Sequence, residues 1–279
     1  MLGLEVMRVG ERAGHEMIGL SRAELDICDE PGTRELMGRL EPDGVVNCAA
    51  WTDVDGAESD PAGARAVNRD GAGNLASCAA AAGARMVHVS TDYVFDGRPP
   101  LRPDGAPRAY LESDPTGPAT VYGLTKLEGE ELVRRASPRH AVARTAWLFG
   151  VGGRNFAETM LTLAGNRDSV RVVADQIGCP TWTGHLAPAL LGLLEREVGG
   201  LVHLAGTGAV SWHGFAAEIF RQAELGCEVH EATSAEMARP APRPGWSALE
   251  SERDDVLPLP PWQDGLAGYL AARAGMMRA

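Results

Sequence analysis

Two side chains suited to shared proton chemistry stand four residues apart in the sequence, Tyr122 and Lys126. On a helix, this spacing places both side chains on one face and within reach of each other. A free tyrosine has a pKa near ~10, and a neighbouring ammonium lowers it. The pair therefore suits a general acid. The alternative is a surface tyrosine beside a solvated lysine.

Lys126 is also the only lysine in the chain, in which every other basic residue is an arginine. An ammonium is compact and its pKa can shift, whereas a guanidinium stays protonated. A site that uses the amine itself could not accept arginine. The composition thus favours a functional role for Lys126, against the alternative that one lysine simply persisted.

The elements that must position this pair alternate along the chain. Short apolar runs predict strands at Glu16–Leu20, Gly44–Ala49, Met86–Ser90, Ala141–Trp147, Val170–Val173 and Leu201–Leu204. Helical periodicity predicts helices over Leu4–Ala13, Thr33–Leu40, Ala62–Ala82, Gly123–Ala136, Phe156–Gly165, His185–Glu197 and Ser211–Leu225. This alternation predicts an α/β fold with a doubly wound parallel sheet, in which ligands bind beyond the carboxyl ends of the strands.

Residues that follow the predicted strands are candidates for that site. Thr91 follows Met86–Ser90, and its hydroxyl could polarise a carbonyl, although a helix cap or turn is the alternative. Trp147 ends another predicted strand, where we expect it to border a ligand rather than the core. Ser21 and Arg22 suit the 2′-phosphate of NADPH, so NADPH is favoured over NADH without excluding it.

Composition limits the other functions. The 279 residues fit a dinucleotide-binding domain over 1–150 and a mainly substrate-binding lobe over 151–279, with 185–206 returning to the first domain. A net charge of -12 without a basic stripe argues against nucleic-acid binding. The sequence has no long apolar run and no visible secretory signal, which predicts a cytoplasmic protein that does not enter a membrane. Five scattered cysteines without a CxxC pair predict neither disulfides nor a metal site.

Three strings carry a resemblance to a known family: Val87–Gly97, Val121–Glu130 and Asp175–Thr181. They resemble the extended short-chain dehydrogenase/reductases and, within these, the dTDP-4-dehydrorhamnose reductases, over nearly the whole chain. The resemblance implies a Rossmann-like fold and NAD(P)H-dependent reduction of a dTDP-linked 4-keto-6-deoxysugar, dTDP-4-dehydro-L-rhamnose, to dTDP-L-rhamnose. A homodimer is a further expectation.

The resemblance also implies roles for individual residues. Tyr122 would protonate the sugar C4 oxygen, and Lys126 would hold the cofactor ribose and depress the tyrosine pKa. Thr91 takes the place of the serine found in most relatives, while Asp92 and Trp147 would border the sugar. The residues implied to bind the cofactor are Gly3, Asp26, Ile27, Ala50, Trp51, Thr52, Tyr122 and Lys126.

The sequence departs from the family at its start. The family opens with a strand and a Gly-x-x-Gly-x-x-Gly turn, of which Met1–Gly3 matches only the last three positions. Either the reading frame is longer, which the intact downstream motifs favour, or the chain is truncated and binds cofactor poorly. Two other functions remain open: a 4-ketoreductase for another deoxysugar, and a non-catalytic cofactor-binding relative such as the β subunit of methionine adenosyltransferase.

Overall fold

Helices and strands alternate along the part of the chain that the structure, a computed structural model, describes, residues 1–276. The helices are α1 (Leu2–Ala13), α2 (Glu30–Leu40), α3 (Val54–Ser59), α4 (Pro61–Arg65), α5 (Ala72–Ala81), α6 (Val121–Ala136), α7 (Phe156–Ala164), α8 (Thr183–Glu195), α9 (Trp212–Gln222) and α10 (Trp262–Met276). The strands are β1 (Gly44–Asn47), β2 (Arg85–Thr91), β3 (Ala141–Thr145), β4 (Leu148–Phe149), β5 (Ser169–Val173), β6 (Ile177–Gly178), β7 (Thr181–Trp182), β8 (Gly200–His203), β9 (Val210–Ser211) and β10 (Glu228–Ala232).

The central sheet has four strands in the order β1-β2-β3-β8, and all three pairings are parallel. Helices cover both of its faces. The apolar sides of α1 and α8 pack on one face, and those of α2, α5 and α6 pack on the other. Because the strands are parallel, their carboxyl ends meet at one edge. The predicted doubly wound sheet is confirmed.

A second hydrophobic core lies outside this sheet. Its apolar side chains come mainly from α7, α9, α10 and the parallel pair β5 and β10. By contrast, α8 and β8, which lie between these elements in sequence, pack with the central sheet. The two cores are joined where β3 runs on into β4, whose Phe149 belongs to the second core.

Several predicted elements differ from those observed. The segment predicted as a strand, Glu16–Leu20, is not one: it has no hydrogen-bonded strand beside it within the described residues, and strand structure requires such a partner. The long helix predicted over Ala62–Ala82 is divided into α4, a π-helical turn over Ala66–Gly71, and α5. The strand predicted to reach Trp147 ends earlier, because Trp147 has a positive φ of 47°.

Other elements carried too weak a pattern to be predicted, notably α3, α10 and β10. Helix α3 spans only six residues, which is under two turns.

None of the helices described for residues 1–276 combines the length and the apolar character needed to cross a membrane.

Candidate functional site

The start of α6 lies against the turn that follows β2, and this contact builds the centre of the site. Thr120 caps the helix, its Oγ1 accepting from the Gly123 amide at 3.0 Å. A Cβ at Gly123 would lie 2.1 Å from the Tyr93 carbonyl oxygen, so only glycine permits this approach. Tyr122 is thereby brought beside Thr91, whose hydroxyl lies near enough to the phenol to act on its pKa.

Burial raises the pKa of Tyr122 to about 12, with a further increase from Asp92 that the Thr91 hydroxyl opposes. The phenol therefore keeps its proton at neutral pH. The expectation that Lys126 lowers this pKa is not met here, because the lysine points elsewhere. Its Nζ donates to the Val89 carbonyl oxygen at 2.7 Å and lies 3.1 Å from His88 Nε2.

Lys126 is one of the most deeply buried side chains of the molecule, at 1% exposure. Burial lowers the pKa of its amine to about 8, while the nearby Glu130 and Cys48 act to raise it. Glu130 is itself held in a buried pair with Arg144 of β3, at 2.9 and 2.8 Å. The amine therefore titrates close to neutral pH, unlike that of an exposed lysine.

Two buried polar atoms near the phenol lack partners among residues 1–276. One is an Asp92 carboxylate oxygen, Oδ2, and the other is the Thr145 hydroxyl. Thr145 pairs in register with Thr91 across β2 and β3. The other Asp92 oxygen accepts from Thr91 Oγ1 at 3.0 Å, and burial raises the pKa of this carboxyl to about 6. Unpartnered donors and acceptors at this edge of the sheet suit a ligand with several hydroxyl groups.

Trp147 lies just beyond the carboxyl end of β3. Its indole stacks on that of Trp212, with ring centroids 3.5 Å apart and planes inclined by 3°. A Cβ at Gly178 would lie 2.4 Å from the Trp147 ring and 2.7 Å from Ser247 Oγ. Ser247 in turn lies close to the Asp92 carboxyl. The structure thus brings Asp92 and Trp147 together through Gly178 and Ser247.

One side chain, that of Asn68, forms hydrogen bonds both to α6 and to Ala50–Thr52, the loop predicted to contact the cofactor. Asn68 Oδ1 accepts from the Trp51 amide at 2.8 Å, and Asn68 Nδ2 donates to the Trp51 carbonyl at 3.1 Å and to Thr125 Oγ1 at 3.2 Å. Asn68 lies in the π-helical turn. It therefore connects the loop to α6.

The remaining cofactor candidates lie along the outer part of this edge. Asp26 is exposed and pairs with Arg22 at 3.7 Å, while hydrogen bonds from Cys28 lower the pKa of its carboxyl. Ile27 is buried among side chains of α2 and α5. Gly3 lies in the first turn of α1, where an added Cβ would be 3.8 Å from the Cβ of Cys48.

One cationic side chain at this edge, that of Arg22, is available to contact the 2′-phosphate of NADPH. The Arg22 side chain is 80% exposed, which leaves its guanidinium accessible to a phosphate. Ser21 differs from the expectation, since its hydroxyl donates to Glu24 at 2.7 Å and is thus already engaged. The preference for a 2′-phosphate consequently depends on Arg22 alone. Among residues 1–276, no cluster of three or more histidine, cysteine or acidic side chains could hold a metal ion.

A small cavity of about 130 Å³ opens next to the Tyr93 ring, which contacts Tyr122 edge-on at 5.4 Å. One wall is the loop over Pro242–Gly245. Arg243 in this loop pairs with Asp55 of α3, its Nη2 and Nη1 lying 2.8 and 3.0 Å from the two carboxylate oxygens. The C-terminal loop is thus tied to the region that follows β1.

Sequence reasoning did not single out His88, Thr145, Gly178 or Ser247 as site residues. Thr145 could have been found from the sheet register, because it is the last residue of β3, as Thr91 is of β2. Gly178 lies in the matching string Asp175–Thr181, but its proximity to Asp92, like that of Ser247, depends on long-range packing. No local pattern marks His88, which sits inside a buried strand.

Comparisons with known proteins agree with this geometry. The family model described as the RmlD substrate binding domain matches residues 1–274. The dTDP-4-dehydrorhamnose reductase of Mycobacterium tuberculosis (strain H37Rv) is 44% identical, over 98% of this chain and 90% of that protein.

Two crystal structures of such reductases have the same fold. The Clostridium acetobutylicum protein has a TM-score of 0.91 at 35% identity, covering 98% of this chain and 96% of its own. The Bacillus anthracis protein, in complex with NADP, also has a TM-score of 0.91 at 31% identity, covering 97% and 95%.

Proposed function

Because the chain belongs to the dTDP-4-dehydrorhamnose reductase family, we propose that it reduces the 4-keto group of dTDP-4-dehydro-L-rhamnose to give dTDP-L-rhamnose. The observation that carries this proposal is the placement of a protonated phenol, Tyr122, near the Thr91 hydroxyl and beside buried polar atoms that have no partner within residues 1–276. NADPH, with NADH as the alternative, is the cofactor; when bound, it supplies the hydride.

The chain's own residues handle the proton and the orientation of the sugar. The Thr91 hydroxyl, whose one hydrogen goes to Asp92 in the structure, redirects that hydrogen to the C4 carbonyl oxygen and orients it. The Tyr122 phenol protonates that oxygen as the alcohol forms. A pKa of about 12 ensures that the phenol carries its proton before the reaction. Asp92 accepts hydrogen bonds from sugar hydroxyls, and Trp147 packs against the sugar.

The cofactor is held along the neighbouring strand ends. Lys126 and Tyr122 contact the ribose nearest the chemistry, and the loop Ala50–Thr52 lines the path of the dinucleotide. Asp26 and Ile27 flank the adenosine, with Gly3 near the phosphates. The exposed guanidinium of Arg22 next to Asp26 supports NADPH.

The decisive experiment compares Tyr122→Phe with the native chain. Oxidation of NADPH that depends on dTDP-4-dehydro-L-rhamnose should fall by about 10²–10⁴-fold, because the general acid is lost. Tyr269→Phe is the matched control: this buried tyrosine bonds Glu158 in the second core, away from the site, and its removal should leave the rate nearly unchanged. An undiminished rate in Tyr122→Phe would refute the assignment of the acid.

The same assay separates the alternatives. A panel of dTDP-linked 4-keto sugars tests whether another deoxysugar is preferred. Binding of NADPH without turnover of any of these sugars would instead indicate the non-catalytic relative.

Two broader expectations accompany this function. All five cysteines are unpaired, which is typical of a reducing compartment and supports a cytoplasmic location. We also expect a homodimer, which light scattering on the purified protein measures.

A further inference from the structure

Three buried polar side chains form a line that runs from the Lys126 amine into the central sheet. Lys126 Nζ lies 3.1 Å from His88 Nε2, and His88 Nδ1 lies 3.0 Å from Asn47 Nδ2. Their exposures are 1%, 0% and 2% from Lys126 to Asn47. The mechanism above uses neither His88 nor Asn47.

The orientation of the Asn47 amide is fixed by the backbone. The amide N–H of Ala49 donates to Asn47 Oδ1 at 3.0 Å. Turning the side-chain amide over would direct its NH₂ group at that N–H, so that two donors would face each other. Nδ2 consequently faces His88, and His88 Nδ1 must be the acceptor.

This arrangement determines where the imidazole carries its proton. Burial and the nearby Lys126 lower the pKa of His88 well below its usual range, so the ring is neutral and has one N–H. Since Nδ1 accepts, the proton is on Nε2, which points at Lys126 Nζ. An ammonium has three donors and no acceptor, whereas a neutral amine has a lone pair that can accept this hydrogen. Both forms can donate to the Val89 carbonyl.

We propose that His88 is a positioning residue for the reaction, which, held by Asn47, directs its Nε2–H at Lys126 and thereby favours the neutral amine. The other titratable groups that act on the Lys126 amine are Cys48 after β1 and Glu130 on α6. Cys48 and Glu130 both favour the ammonium, so His88 opposes them. A lysine balanced in this way can give and take a proton near neutral pH. The use of Lys126 in catalysis rests on the proposed function, whereas the protonation state of its amine does not.

The sequence supplies a direct probe, because Lys126 is the only lysine. Protein labelled with ¹³C at lysine Cε gives one side-chain NMR signal that needs no assignment. Its pH titration should have a midpoint within about one unit of 8, against ~10.4 for a free lysine.

Variants test the role of His88 in that midpoint. His88→Gln allows an amide oxygen to face Nζ, and the midpoint should rise by about one unit, a tenfold change in the ratio of ammonium to amine. His140→Gln is the matched control: His140 is equally buried and bonds the Met86 amide and the Ala76 carbonyl, far from Lys126, so the midpoint should not move.

A midpoint that is the same in His88→Gln and the native chain would overturn the proposal. If His88→Gln does not fold, the native titration decides, because a midpoint above about 10 contradicts a favoured neutral amine. The NMR signal needs no substrate. Failure of this proposal is therefore distinguishable from failure of the proposed reductase activity.

Discussion

Asp92 stands out among the site residues because it is a buried carboxyl group with one oxygen that has no partner within residues 1–276. Its pKa in the folded protein is raised to about 6 from an ordinary 3.8. The folded state thus binds this proton more tightly than the unfolded state. The stabilisation by the protonated carboxyl is complete below the unfolded pKa and is lost as the pH rises through about 6.

We therefore expect Asp92→Asn to be more stable than the native chain at neutral and alkaline pH. A shift of about two units corresponds to at most ~3 kcal/mol, from which the burial of the new amide subtracts, leaving a gain of about 1–2 kcal/mol. Urea unfolding near pH 8 should show this gain, and unfolding near pH 4 should show almost none. The variant should also lose activity. A gain that persists unchanged at low pH would contradict the proposed cause.

At the residue scale, the sequence was most informative about which residues lie at the site and least informative about where their side chains point. The spacing of Tyr122 and Lys126 placed both on α6, and the strand end placed Thr91 beside them. The direction of the amine toward Val89 and His88 could not be predicted, because it depends on a histidine from a buried strand with no local signal. The raised pKa of Tyr122 follows from the same long-range burial.

Among the elements, α6 is positioned by how closely it crosses the π-helical turn over Ala66–Gly71. A Cβ at Gly129 would lie 2.1 Å from the Asn68 carbonyl oxygen, which is far inside van der Waals contact. Since that oxygen belongs to the backbone, it cannot turn away as a side chain could. The crossing therefore sets both the position of Tyr122 and that of the Asn68 amide that holds Trp51.

Gly129→Ala should destabilise the protein by about 1–3 kcal/mol, because the two backbones must separate. Alanine's higher helix propensity offsets only part of this loss. Gly38→Ala in α2 is the control: nothing lies within 4 Å of the added Cβ, and it should stabilise by about 0.5–1 kcal/mol. Thermal unfolding measures both. Equal effects of the two substitutions would show that the crossing is not tight.

Prediction from sequence succeeded for elements whose pattern is set by their own residues. The amphipathic α1 and the apolar β2 are examples. It failed where an element depends on another part of the chain. Glu16–Leu20 has strand-like composition but no paired neighbour within residues 1–276, and the turn over Ala66–Gly71 widens within what reads as a continuous helix. Helix α10 was missed because alanines occupy much of its exposed side, which weakens the contrast with the buried face of Trp262, Leu266 and Tyr269.

For the whole molecule, the ion pair between Asp55 and Arg243 joins α3 to the distant loop Pro242–Gly245. Arg243 is 13% exposed, so the pair is screened less than those on the open surface. Hydrogen bonds from Arg243 lower the pKa of the Asp55 carboxyl, which keeps it ionised. This pair holds the loop that leads to Ser247.

Arg243→Gln should raise the KM for the nucleotide sugar about tenfold, with kcat reduced less. Without the ion pair, part of the substrate's binding free energy is used to order the loop Pro242–Gly245. Arg171→Gln is the control, since Arg171 pairs with Glu236 at an exposed site and its loss should change neither constant appreciably. Steady-state kinetics at saturating NADPH provides the comparison. Indistinguishable constants for the two variants would exclude a role for the pair in substrate binding.

The stacked indoles of Trp147 and Trp212 lie nearly parallel, one just past the end of β3 and the other at the start of α9. Chromophores so close couple their electronic transitions, and the coupling produces a circular dichroism signal that neither indole gives alone. This circular dichroism signal therefore reports that the central sheet and the second core are packed together. It should disappear when either one unfolds, even if the other stays intact.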